Sequence, residues 1–204
     1  MTLLAVGCYA PAVGPATGED AGGSADRSFV AVHDQWISFP DGDGSGDLRA
    51  YCDKVIVQLF ELSLMSFDLT ALGPADRVTA ARLRLYVTST PASGMLFVYR
   101  ILEGWVEGEA TWLDRASGLP WTNAGASPPS SRSSEAIGQT MVADPGSWSL
   151  PLEASVVQGW IDDPSSNHGV VVAYECPDST MGRVVWDDNR AEFPDHLPTL
   201  EIDL

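Results

Sequence analysis

The stretch ARLRLYVT, residues 81–88, does most to limit what this chain can fold into. Ala81, Leu83, Leu85 and Val87 fall on one side of an extended strand, and Arg82, Arg84, Tyr86 and Thr88 on the other. Side chains alternate with a period of two along a strand, so this one predicts a dry face packed on a core and a wet face in solvent. MLFVYRIL, residues 95–102, is apolar on both faces, as a central strand is. The PASG between the two reads as a hairpin connection joining an antiparallel pair.

Further strands are predicted for FVAVHDQWI (29–37) and, as one bent strand or two short ones, for residues 54–69. GVVVAYE, GRVVWD and the closing PTLEIDL complete a set of about eight. Residues 113–147 lose this period and fill with Ser, Gly and Pro, which reads as a long irregular insertion. LEASVVQGWIDD breaks the β pattern: Val156, Val157, Trp160 and Ile161 share a face at helical spacing, so one short helix is expected across an end of the sheets. With 19 Gly, 14 Pro and 7 Trp, turns and broad aromatic cores are favoured over long helices. Together these features predict an all-β chain, an antiparallel β-sandwich of two packed sheets with one short helix.

Twenty-eight acidic residues against 11 basic ones leave a formal charge of -17, which disfavours nucleic acid and anionic membrane surfaces as partners. No apolar run approaches the roughly 18 residues that span a bilayer. LLAVGC, ending at Cys8, resembles the end of a bacterial lipoprotein signal peptide, although the basic n-region is missing and the apolar run is short. A Pro/Ala/Gly/Ser-rich segment follows. Residues 1–28 are therefore expected to be a signal remnant and flexible tether, with lipidation at Cys8, and residues 29–204 one folded domain at the outer cell surface. Cys52 and Cys176 sit in or beside predicted strands and fit either a disulfide across the sandwich or two buried thiols.

Four blocks, in order, resemble the DNRLRE domain, also called the disaggregatase-related repeat and grouped with the family 96 carbohydrate-binding modules. LMSFDLTALGPADRVTAARLRLYV is similar to its opening, and RILEGWVEGEATW to its Trp-x-Glu-x-x-x-Thr-Trp block, here Trp105, Glu107, Thr111 and Trp112, followed by Trp121. LEASVVQGWIDDPSSNHGVVV resembles its helix-turn-strand block through Val157, Trp160, Asn167 and Gly169, and PTLEIDL its final strand. The chain departs from the family in a longer loop between Trp121 and Trp148, and in Asp188, Asn189 and Arg190, which lack the Leu-Arg-Glu continuation. The resemblance implies a jelly-roll-like sandwich with a binding or scaffolding role outside the cell.

Two kinds of site are expected. DGDGSGD sets Asp41, Asp43, Ser45 and Asp47 at the spacing of the first half of a calcium loop, with Gly46 at the turn position. Cys52 stands where the closing glutamate would be, so a structural Ca2+ and a solvated acidic turn both fit. For polysaccharide, the C–H face of a sugar stacks on an exposed ring while polar groups bind its hydroxyls. Trp36, Trp121 and Trp148, beside irregular segments, are the platform candidates, with Asp188, Asn189 and Arg190 as polar contacts, and a loop tryptophan that pins its loop to the core fits them equally; Trp105, Trp112 and Trp160 are expected in the core. His33, His168 and His196 lack metal-ligand spacing, and neither a Gly-x-Ser-x-Gly elbow nor a phosphate-cradling loop is present, so no enzyme is expected. The rival to polysaccharide binding is a structural surface protein that assembles through sheet edges or the long loop.

Overall fold

A computed structural model describes residues 26–39, 42–44, 46–52, 60–90, 93–175 and 182–204. In chain order it contains β1 (Arg27–Phe39), β2 (Gly42–Gly44), β3 (Leu48–Cys52), β4 (Phe60–Phe67), β5 (Ala80–Ser89), β6 (Gly94–Arg100), β7 (Asp114–Ala116) and β8 (Leu119–Pro120). These are followed by β9 (Gly138–Val142), β10 (Gly146–Leu152), the helix α1 (Ala154–Asp162), a 3-10 turn (Pro164–Ser166), β11 (Val170–Glu175), β12 (Gly182–Trp186) and β13 (Thr199–Asp203). Strands hold 49% of the described residues against one α-helix, and the strand pairing is antiparallel, so the chain is all-β with one short helix. Among the described residues no helix is long and apolar enough to cross a membrane.

The hydrogen bonding does not divide into the two separate sheets expected of a sandwich. It closes into a barrel of eight strands, running β4, β1, β13, β5, β10, β9, β6, β11 and back to β4. Strand β1 makes half of that closure. Residues 27–30 pair with β13; then a bulge between Ala31 and His33 bends the strand, and the remainder pairs with β4. The other closing seam is thin, a single pairing of Leu152 in β10 with Gly138 in β9. Only glycine suits that crossing, since a Cβ on residue 138 would collide with the Pro151 carbonyl oxygen. A short bridge of β12 and β3 also links β5 to β4.

Strand β5 carries the alternation read from the sequence. Ala81, Leu83, Leu85 and Val87 are buried, while Arg82 and Arg84 bond Glu201, Asp203 and Thr199 of the neighbouring β13. The expected β5–β6 pair, however, does not form. β5 pairs with β10 on one edge and with β13 and β12 on the other, and β6 lies between β9 and β11.

Two apolar cores explain why β11 is hydrophobic on both faces, whereas β6 is fully buried on its inner face alone. Leu96, Val98, Val170, Val172 and Tyr174 face the barrel interior, which α1 helps to fill with Val157, Trp160 and Ile161. Val156, expected on the same helical face, is half-buried against this core. On the outer surface, Ile37, Leu62, Leu64 and Val171 make a second core with Ile101, Ala110, Trp121 and Ala126. The segment read as an irregular insertion is thus an ordered cover. Its last part is strand, forming β9 and the start of β10, where Trp148, Leu150 and Leu152 alternate with Ser149 and Pro151.

Candidate functional site

The WVEGEATW block folds back on the outer surface of β1 and β4 and is held there by polar groups. Gln35, buried on β1, accepts from the Gly108 amide at 2.7 Å and donates to the Ala110 carbonyl. Thr111 Oγ1 accepts from the amides of Leu113 and Asp114 at 3.1 and 3.0 Å, which turns the chain into β7. The Trp105 indole donates to the His168 carbonyl and the Trp121 indole to the Thr111 carbonyl, each at 3.0 Å. Trp160 is in the core as expected, whereas Trp105 and Trp112 are half-buried under this cover.

This anchoring delivers Glu107 to a convergence of three chain segments. Glu107 Oε1 accepts from the Asp34 amide at 3.3 Å and from Arg190 Nη2 at 3.2 Å, and its Oε2 lies 3.2 Å from His33 Nδ1. Beneath them Asp34 is wholly buried. Its Oδ2 accepts from the Asn189 amide at 2.6 Å, and its Oδ1, equally buried, has no hydrogen-bond partner among the described residues. Burial pushes the Asp34 carboxyl up to about 6; the Asn189 amide opposes this, the nearby Asp188 and Glu107 charges add to it, and Arg190 offsets part. Asp188 caps the turn by accepting from the Arg190 amide at 2.9 Å, and Asn189 Nδ2 donates to the Ala31 carbonyl at 3.3 Å. The structure thus brings Asp188, Asn189 and Arg190 together with Glu107 and His33. Asp34, which does most to set the electrostatics, carries no sequence signal beyond its polar place in an apolar strand.

The three platform candidates behave differently from one another. Trp121 is 4% exposed and belongs to the outer core, so of its two expected roles it is not the solvent-facing platform but the pin that holds the cover by its edge. The Arg49 guanidinium lies 3.5 Å from the Trp36 ring centroid, and Gly44 packs against the same ring. Arg49 in turn joins Glu61, which takes two bonds of 2.7 Å from Arg183. Trp148 is half-buried with its indole bonded to the Asp144 carbonyl at 2.9 Å.

Of the calcium-loop residues, Asp43 and Asp47 are exposed, and Asp41 and Ser45 lie outside the described residues. Among the described residues no group of three or more His, Cys, Asp or Glu side chains is placed to hold a metal ion. Cys8, Cys176 and the Cys52 side chain also lie outside the description.

An aromatic surface that the sequence reading passed over lies on β6. Where the cover ends, Met95, Phe97 and Tyr99 point outward and are half-buried. The Phe97 and Tyr99 rings are neighbours on this face, with centroids 6.4 Å and planes 30° apart. Phe97 is directly opposite Gln139 of β9, and Met95 opposite Met141 of β9 and Glu175 of β11; these three neighbours are exposed and share its face. The Arg132 guanidinium sits 4.1 Å from the Tyr99 ring centroid, with Nε and Nη1 buried and unbonded among the described residues, and burial lowers its pKa. The signal was present in MLFVYRIL, whose alternate positions hold Met, Phe and Tyr, but apolarity on both faces had been assigned wholly to burial.

A cavity of about 200 Å3 lies beside α1, but its polar Asn167 is already committed to the Phe67 carbonyl and the Gly169 amide. No family model and no curated protein matches the chain.

Proposed function

We propose that this protein is a non-catalytic extracellular module that binds polysaccharide at the cell surface, with the outward strip of β6 as its contact surface. One observation supports this reading most: two neighbouring half-exposed rings, Phe97 and Tyr99, lie on a face shared with the exposed polar side chains of Gln139 and Glu175. Aromatic faces bind the apolar side of a sugar while amide and carboxylate groups orient its hydroxyls. The four sequence blocks similar to the DNRLRE domain favour the same role. In this reading the closed barrel is a flattened, jelly-roll-like sandwich, Cys8 carries a lipid anchor, and Ca2+ orders the loop of Asp41, Asp43, Ser45 and Asp47.

The test is calorimetric titration of the protein against a panel of neutral and acidic polysaccharides, with and without calcium. Saturable binding is expected with at least one glycan, weakened about tenfold in Phe97→Ala while the thermal midpoint stays high enough to show a folded protein. Absence of binding across the panel would sink the proposal.

A second reading is self-assembly into a surface structure. It is favoured by Val106, Leu113 and Leu119, large apolar side chains on the cover that are 45%, 63% and 49% exposed. Concentration-dependent light scattering, abolished by Leu113→Asp, would support this reading over the first.

A further inference from the structure

Resting on the polysaccharide reading, we infer that the outward strip of β6 is selective: it takes uncharged polysaccharide and turns away chains that carry carboxylate or sulfate groups. The polar groups around the rings carry the inference. Recognition of an acidic glycan calls for accessible cations, and an arginine does it best through two parallel N–H bonds. The strip instead presents an amide and carboxylates. Gln139 and Glu175 are exposed on its face, Glu175 directly across from Met95. Glu135, also exposed, lies just before Ile137, whose amide bonds the Val98 carbonyl, and its charge reaches Tyr99 together with that of Glu175.

Arg132 is the cation set against these rings, and its geometry keeps it from serving a ligand anion. Its guanidinium faces Tyr99, and Nε and Nη1 are both buried. A carboxylate or sulfate takes paired bonds from a guanidinium either through Nε and Nη2 or through Nη1 and Nη2. Each mode therefore needs a nitrogen that is sealed from solvent.

An acidic chain laid along the strip would meet Glu175 and Glu135 with no partner for its own charge, in the field of a protein of formal charge -17. A neutral chain meets no such repulsion. Its hydroxyls donate to the carboxylates and to the Gln139 amide oxygen, and its apolar faces lie on Phe97 and Tyr99. Because the repelling groups are exposed, added salt screens them.

The experiment is calorimetric titration of the full chain, with and without calcium, against pairs of polymers that share a backbone. Hydroxyethyl- and carboxymethyl-cellulose, dextran and dextran sulfate, and methyl-esterified and de-esterified pectin are such pairs. In a bound pair the neutral member is expected to be tighter by about tenfold at low salt, and the gap should narrow at high salt. The double variant Glu135→Gln with Glu175→Gln should raise affinity for the acidic member severalfold and leave the neutral member nearly unchanged. Tighter binding of an acidic member in either buffer, or a preference that neither salt nor the double variant reduces, would overturn the selectivity and leave the polysaccharide reading standing. No binding of either member of any pair would remove both.

Discussion

Two groups of arginines and carboxylates in this barrel differ in both charge balance and burial. On the wet face of β5 and β13, Arg82 bonds Glu201 at 2.8 Å and Asp203 at 3.0 Å, and Arg84 bonds Glu201 at 3.1 Å. All four come from two paired strands, opposite or diagonal in register, and remain partly in water. At the other group, Asp34, Glu107, Asp188 and Arg190 arrive from three segments far apart in sequence, and the cover helps seal the innermost carboxylate away from solvent. The first group is satisfied locally and adds modestly to stability. In the second, burial makes a strained site, because desolvation outweighs the single cation available. What each cluster does is therefore set by its cover together with its charge balance, two arginines for two carboxylates on the wet face and one for three at the convergence.

The sharpest way to break that contrast is to remove the cover. Trp121→Ala deletes a buried ring and its bond to Thr111, and should cost about 3–5 kcal/mol in denaturant unfolding. The Asp34 carboxyl, raised in the fold from 3.8 to about 6, costs stability as pH rises through that interval; with solvent admitted, this loss should shrink as well. Asp34→Asn sharpens the contrast from the other side: at neutral pH it should raise stability by at most about 3 kcal/mol, with no gain in acid. Glu201→Gln on the wet face should cost about 1 kcal/mol or less, and the loss should fade with added salt, which screens exposed pairs. A loss of several kcal/mol there, insensitive to salt, would show that the two groups are not different in kind.

The amino-acid sequence by itself determined the secondary structure of much of this chain. The period-two pattern of residues 81–88 is β5, the helical spacing of Val157, Trp160 and Ile161 is α1, and PTLEIDL supplies β13. These are local signals, since side-chain direction along one element depends only on backbone geometry. Pairing was not local. A hairpin was the natural reading of PASG, yet both edges of β6 are taken by β9 and β11, strands at least 38 residues later in the chain. The cover also escaped a local reading: its Ser, Gly and Pro content describes a loop, and only the outer surface of β4 and β11 makes Trp121 and Ala126 a core.

The candidate sites divide in the same way. Residue type alone marked Trp36, Trp121 and Trp148 as aromatic and Asp188 to Arg190 as polar, but solvent exposure is a property of what packs on a residue. Burial placed Trp121 in the core, left Phe97 and Tyr99 half-open at the edge of the cover, and made Asp34 the most perturbed carboxyl of the convergence. Sequence set the faces of the strands; long-range closure of the barrel decided which of those faces meets water, because desolvation acts on the assembled surface and has no period along the chain.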